Sequence, residues 1–293
     1  MGHSVAKQHA FRFTAPVIAG VLVMAAVGWL ATSARAATVE VPAKGKSQTI
    51  DRIREQRMLR AGIQVALPWL GQNPKTGQFF GPSIELGERI AQLLGVELKL
   101  VTTGWDVMIA GLQGNQYELT IAAMFATAKR REVVDFVVYS ETGTCWAVRK
   151  DNDKINTLED FNQPSVTFGS FVGTGTTAAA MAKYPKAKFH NVVMPVGGAN
   201  RFEDVLTRRI DVAHLDSPRA LLVAHQQPQL KIIPGGPEHC MKNPDIPFEI
   251  AMAINYGDPE FKKFLERAVA DFQDQFKASL LKHSSLEFIL QRQ

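Results

Sequence analysis

Cysteine is scarce, with two residues in 293, Cys145 and Cys240. Two cysteines that far apart do not make a zinc site, and neither H-E-x-x-H nor C-x-x-C occurs. There is no Ser-His-Asp pattern, no glycine loop long enough to cradle a nucleotide, no nucleic-acid motif, no internal repeat and no low-complexity segment. Acid is missing from one place in particular. The first 36 residues hold Lys7, Arg12 and Arg35 and no Asp or Glu, so the formal charge of +5 is largely a property of the leader. The 33 basic residues less those three leave 30 against 28 acids, a balance that argues for no nucleic-acid partner.

That leader has the parts of an export signal: a basic start at Lys7 and Arg12, an apolar run over 13–30, and Ala34-Arg35-Ala36 as an A-x-A cleavage site. Cleavage after Ala36 is expected. An uncleaved anchor is the alternative, since an apolar run of about 18 residues just spans a bilayer. In an exported chain the two cysteines either form a bridge or stay as buried thiols. A bridge closing a loop of about 95 residues is worth roughly 4–5 kcal/mol in the chain-entropy model.

With 46% hydrophobic and 21% charged residues, the remainder has ordinary globular composition and ample core material. Residues 38–46 read as a flexible polar tail. A helix is expected over 50–59, a strand over 61–67, a helix over 84–94 capped by Ser83 and stopped by Gly95, and a strand over 96–101. The alternation continues with a helix over 107–112 and strands over 119–122, 133–139 and 145–149. After the polar run at 150–154 come strands near 166–168, 188–193, 212–215, 230–233 and 249–254 with short helices between them. Ser217-Pro218 opens one of those helices. The segment 233–247 reads as loop, and two helices, 258–272 and 277–290, close the chain. Alternation at this spacing means parallel sheet with helices on its faces, an α/β chain. Two such units facing a cleft make the cleft the expected ligand site.

The organising stretch is 105–139, WDVMIAGLQGNQYELTIAAMFATAKRREVVDFVVY. Open α/β sheets bind ligands in the loops leaving the carboxyl ends of buried strands. A guanidinium there can hold a carboxylate through two parallel hydrogen bonds, and Arg130 is the candidate. Trp105 reads as a structural residue.

Trp105-Asp106, Ile109, Leu112, Gly114, Tyr117-Glu118, Met124, Thr127, Arg130 and Val134-Asp135-Phe136 stand at the spacing "WD..I..L..G.YD", then "M..T..R...VDF". The stretch resembles the first lobe of the family 3 periplasmic solute-binding proteins, the polar amino-acid receptors of ABC importers. RIDVAHLDSPRALLVA is similar to a second-lobe pattern of the same family. The resemblance implies a type II periplasmic-binding-protein fold, two α/β lobes joined by a two-crossing hinge and preceded by a signal peptide. Expected boundaries are 1–36 for the signal peptide, 37–48 for the tail, 49–147 with 249–293 for lobe 1, and 148–248 for lobe 2.

The resemblance also implies roles. Arg130 binds a ligand α-carboxylate, Asp216 an α-ammonium, Trp69 packs against the ligand, and Thr174 lies in a glycine-threonine loop that meets the carboxylate. A zwitterion held between one cation and one anion is sound chemistry in its own right. Two departures bear on the ligand. Phe125 stands where family members often have a hydroxyl, which brings an apolar ring toward the pocket. Ala66 stands where receptors for basic amino acids carry an acid. A neutral or apolar amino acid, or a related small carboxylate, is therefore expected, with no cofactor, no metal and no chemistry. The implied setting is a monomer in the periplasm serving an inner-membrane ABC permease.

The segment CMKNPDIPF resembles the periplasmic cyclohexadienyl dehydratases, which eliminate water and carbon dioxide from prephenate or arogenate. Their loop acid falls on Thr176 here, and a hydroxyl is a poor proton donor at neutral pH. The dehydratase is the alternative reading, and a sensor module presenting its closed form to a membrane receptor is a third.

Overall fold

Asp135–Arg149 is a single fifteen-residue strand, and it runs antiparallel to Ile246–Ile254 along almost the whole length of the latter. The sequence reading broke this strand into two runs at the polar segment 140–144. The segment stays extended because the second strand pairs with it, Thr144 opposite Ile246 and Thr142 opposite Phe248. The register slips by one residue between Ile250 and Ala251, which leaves Tyr139 as the extra residue of a bulge.

The computed structural model describes residues 39–192 and 201–285. The expected signal peptide and cleavage site lie outside the described residues. So do residues 286–293, where the final helix was expected to end.

Around the antiparallel pair the main sheet is built in two halves. On one side Leu119–Thr120, Met58–Ile63 and Glu97–Thr102 follow in parallel, with Met124–Phe125 adding to Ile246–Ile254. On the other side Val212–Asp216 pairs antiparallel with Asp135–Arg149, and Thr167–Phe171 and Lys188–Val192 follow in parallel. Leu230–Ile233 also pairs with Asp135–Arg149. The cores divide in the same way. Val137, Tyr139, Ile250 and Met252 belong to an apolar cluster with Leu59, Ile63 and Leu119. Cys145 and Ala147 pack with Leu215 and Leu230, while Trp146 and Val148 pack with Phe161, Phe168 and Tyr184. Along the long strand the core therefore changes partners between Tyr139 and Cys145.

Helix Pro82–Leu94 has proline in its first turn and Gly95 in the left-handed conformation at its end. Its buried Ile84, Gly87, Ala91 and Leu94 share one face at helical spacing. Gly81, not Ser83, occupies the N-cap. Ser83 is fully buried, its hydroxyl 3.2 Å from that of Tyr139. The two expected closing helices are one, Pro259–Ser284, capped by Asp258 through a bond from Phe261 N–H. It packs on Pro82–Leu94, where Arg89 donates twice to Asp271.

Three further expectations are corrected. The tail, described from residue 39 to 46, is docked, with Val39 and Val41 against the first core and Arg54 and Arg267 donating to the carbonyls of Pro42 and Glu40. The segment read as loop contains helix Pro237–Lys242. The strand expected over 119–122 ends at Thr120, because Ala123 turns the chain with φ of 53°. Cys240, on that unexpected helix, is bonded to Cys145 across Cα atoms 6.0 Å apart, so the open question of the two thiols closes on a disulfide buried in the second half. Among the described residues no helix is long and apolar enough to cross a membrane, and no cluster of His, Cys, Asp and Glu is arranged to hold a metal ion.

Candidate functional site

The turn at Ala123 is built by its neighbours. Ala123 N–H donates to the Tyr139 hydroxyl at 3.0 Å, which the bulge pushes inward. Burial drives the pKa of Tyr139 up to about 12, so the phenol stays neutral. After the turn, Phe125 and Met124 pair with Ile250 and Ala251 on the crossing strand. Thr127 then caps the short helix Ala128–Arg131 by accepting from Arg130 N–H. The cap swings the Arg130 side chain back over the loop, where Nη1 donates to the Phe125 carbonyl at 2.9 Å.

The facing loop belongs to the other half. Strand Thr167–Phe171 leads to Gly173, whose φ of 82° suits a residue without a Cβ. Thr174 then caps helix Gly175–Lys183. Its hydroxyl lies 3.0 Å from both the Phe171 carbonyl and the Thr177 hydroxyl, and the latter accepts from Phe171 N–H. The Thr174 oxygen is thus committed inside its own loop. What the loop presents outward is backbone, since the first turn of a helix leaves N–H groups without intrahelical partners. Thr176 is 3% exposed in that turn.

The two loops meet. Arg130 Nη2 donates to the Gly173 carbonyl at 2.6 Å. A Cβ added to Gly173 would fall 2.8 Å from Cα of Asp106 and 3.1 Å from the carbonyl carbon of Trp105. A Cβ on Gly175 would fall 3.0 Å from Thr127 Cγ2 and 3.1 Å from Phe125 Cβ. Both glycines permit backbone of one half to lie directly on the other. Under them the rings of Phe125 and Phe248 stack at 4.2 Å with planes 17° apart.

Arg130 is desolvated at this seam, and burial alone pushes its pKa down to about 10, so it is charged at neutral pH. Among the described residues no carboxylate lies within ion-pair distance of it. Its neighbour Arg131 does have one, Glu249 at 2.5 Å. Two of the five guanidinium N–H groups are used on carbonyls, and three are left.

Asp216 ends strand Val212–Asp216, opposite Thr144 on the crossing strand. The next residue, Ser217, lies 3.4 Å from the Thr142 hydroxyl, and Thr142 is opposite Phe248. A short relay of contacts thus runs from Asp216 through the hinge pair to Phe125 and Arg130. Arg130, Phe125, Thr174 and Thr176 are brought together at the seam, and Trp69 is not. Its side chain is 0% exposed, packed in the first core and stacked on Phe276 with centroids 6.3 Å apart. The tight turn from Ala66 to Leu70 folds Trp69 inward onto the closing helix.

Three side chains were not foreseen. Gln64, fully buried just past the carboxyl end of strand Met58–Ile63, has an amide nitrogen without a hydrogen-bond partner. A lone amide inside the apolar run 61–67 was the signal for it. Arg219 has a buried, unpartnered Nε. Burial pushes its pKa down while the charge of Asp216 pulls it back up. Phe248 is the third, and nothing but its place on the crossing strand marks it.

Two half-sheets joined by a pair of antiparallel crossing strands, with loops from both halves meeting over an arginine, make up a type II periplasmic binding protein. The model of the bacterial extracellular solute-binding proteins, family 3, matches residues 59–283, and the chain belongs to that family. It is similar to the cyclohexadienyl dehydratase of Pseudomonas aeruginosa, 22% identical over 228 residues that cover 76% of this chain and 81% of that protein. It is also similar to the L-cystine-binding protein TcyJ of Escherichia coli, 24% identical over 226 residues, 76% and 80% of the two chains. Among solved structures, the ancestral amino acid-binding protein AncCDT-1, a precursor of cyclohexadienyl dehydratase, superposes with a TM-score of 0.68 at 29% identity, covering 80% of this chain and 100% of that one. The arginine-bound form of truncated ArgBP from T. maritima gives 0.65 at 25%, covering 76% and 99%.

Proposed function

We propose that this chain is the periplasmic receptor of an ABC importer, exported and cleaved near Ala36. It captures a small amino acid or related carboxylate between two lobes and delivers it, as a monomer, to an inner-membrane permease. In this reading residues 49–147 with 249–293 form one lobe and residues 148–248 the other. Arg130 grips the carboxylate with the N–H groups it has left, the first turn of helix Gly175–Lys183 adds backbone donors, and Asp216 receives the ammonium. Thr174 and Thr176 act through the backbone they position, and Phe125 supplies apolar surface.

One observation carries this reading: a partly buried guanidinium at the seam between two halves, with no carboxylate within ion-pair distance among the described residues. A buried cation without an anion is costly, and an anion from outside completes it. The class of ligand is supported by relatives named for binding L-cystine and octopine and by a solved relative with arginine bound. A thermal-shift screen of amino acids and small carboxylates on the mature chain tests it. A ligand at 100 times its dissociation constant adds about 2.7 kcal/mol of stability. If no member of the panel moves the transition, the reading fails.

The dehydratase relative favours a second reading, elimination from prephenate or arogenate. That reaction needs a proton donor for the departing hydroxyl. The loop facing Arg130 offers Gly173, Thr174, Gly175 and Thr176, and the Thr174 hydroxyl is committed to Phe171 and Thr177. Binding without chemistry is therefore preferred. Product formation from prephenate, followed by ultraviolet absorbance, reverses that preference.

A further inference from the structure

We infer that Phe248, stacked on Phe125, is the specificity wall of this site and selects a carboxylate with an apolar, above all aromatic, body. The inference rests on the reading of Arg130 as the carboxylate grip and adds what the rest of the ligand must be. Side chains two apart on a strand share a face, so Phe248 and Ile250 point the same way. Phe125 is directly opposite Ile250 and therefore diagonal to Phe248, close enough for rings to meet. They stack at 4.2 Å. Phe125 is thereby held in three directions: its ring by Phe248 on the crossing strand, its carbonyl by Arg130 Nη1, and its Cβ by the backbone of Gly175 in the other half.

The two rings differ in exposure. Phe125 is 8% exposed, whereas Phe248 is only half-buried, so the outer ring of the stack retains free surface. Around the same loop stand Ala122, Ala123 and Ala126, which offer no side-chain donor or acceptor. Of the acids on this side, Glu249 pairs with Arg131 and Asp135 with Lys262, while Asp106 stands across the seam beside Gly173. A side chain extending from the carboxylate grip over this stack would meet methyl groups and rings, a surface that matches an aromatic or branched apolar body.

The test is titration calorimetry on the full mature chain with L-phenylalanine, phenylpyruvate, L-leucine, L-alanine, L-cystine, L-glutamate and L-arginine, repeated on Phe248→Ala and Phe248→Leu. Thermal melting and circular dichroism confirm that each variant folds. The expected result is tightest binding of the aromatic and branched ligands by the native chain. Phe248→Ala should weaken the aromatic ligands roughly tenfold and alanine hardly at all, with Phe248→Leu between. Arginine or glutamate as the best ligand overturns the inference and leaves the carboxylate grip standing. So does an unchanged ranking in folded Phe248→Ala. Absence of binding by the whole panel overturns the receptor reading itself.

Discussion

Arg130 of one half donates a 2.6 Å hydrogen bond to the carbonyl oxygen of Gly173 in the other. A peptide carbonyl is a weaker partner for a guanidinium than a carboxylate, which accepts two parallel charge-assisted bonds. Gly173 thus holds a place that a ligand carboxylate can share or take. In the proposed mode of capture, closure of the two halves around that arginine couples binding to a hinge motion.

Close approach across the seam depends on two missing side chains. Gly173→Ala puts a Cβ 2.8 Å from Asp106 Cα and also strains a φ of 82°. Gly175→Val crowds Phe125 and Thr127. Both variants should fold, since each clash lies between the halves and only Gly175→Val reaches a core side chain, Phe125 at the edge of the first core. Small-angle scattering should show a larger radius of gyration with ligand than the native chain has, and affinity should fall at least tenfold. A native-like closed form in Gly173→Ala contradicts this geometry.

Cys145 and Cys240 tie the crossing strand to helix Pro237–Lys242. In the chain-entropy model a bridge over 95 residues stabilises by roughly 4–5 kcal/mol. Reduction, or the double change to alanine, should lower the melting temperature by many degrees. Because both cysteines are buried in the core with Leu215 and Leu230, away from Arg130, ligand affinity of the still-folded protein at low temperature should change little. A melting curve indifferent to reductant refutes this.

Glu118 stands in the motif that carries the family resemblance, yet its side chain is 0% exposed and serves the first half's framework. It accepts from Arg60 N–H at 2.8 Å and from the Arg60 guanidinium, fixing strand Met58–Ile63 to the turn before Leu119. Removing one partner of a buried pair leaves the other uncompensated. Glu118→Ala should cost about 3 kcal/mol by denaturant unfolding. A loss below about 0.5 kcal/mol would show that water replaces the pair.

Asp258 caps the closing helix and accepts from Thr49 N–H and the Ser47 hydroxyl, joining the first helix to the last. Burial by itself would raise its pKa, but bonds from Thr49, Phe261 and Ser47 outweigh that and hold it below the ordinary 3.8. A folded-state value below the unfolded one means that its stabilisation is complete above about pH 4. It is then lost as pH falls through the lower folded value. Asp258→Ala should cost about 1 kcal/mol at neutral pH and flatten the acid limb of the stability profile below pH 4. Parallel acid limbs for variant and native chain contradict the linkage.

Much of the fold was legible because its elements are local. Gly95 as the stop of its helix and the short apolar strands are read from neighbours a few residues away. The place of Arg130 on a turn after a strand was legible for a similar reason: Thr127 and the short helix that aim it are adjacent in sequence. What escaped depends on partners far along the chain. Residues 140–144 look like a break until residues 246–250 pair with them. The packing of Trp69 depends on Phe276, some two hundred residues later, which stacks on it. Phe248 and Gln64 acquire meaning from what packs, or fails to pack, against them in three dimensions.

The most direct measurement is a calorimetric titration of the native chain and of Arg130→Ala with the tightest ligand found in the thermal-shift panel. Loss of two charge-assisted hydrogen bonds should weaken binding about 100-fold, roughly 2.7 kcal/mol, with the melting temperature of the free variant little changed. Arg130→Lys should recover only part, because an ammonium lacks the planar fork. Equal affinity in native and Arg130→Ala chains would remove the guanidinium from the binding site and contradict the proposed mode of capture.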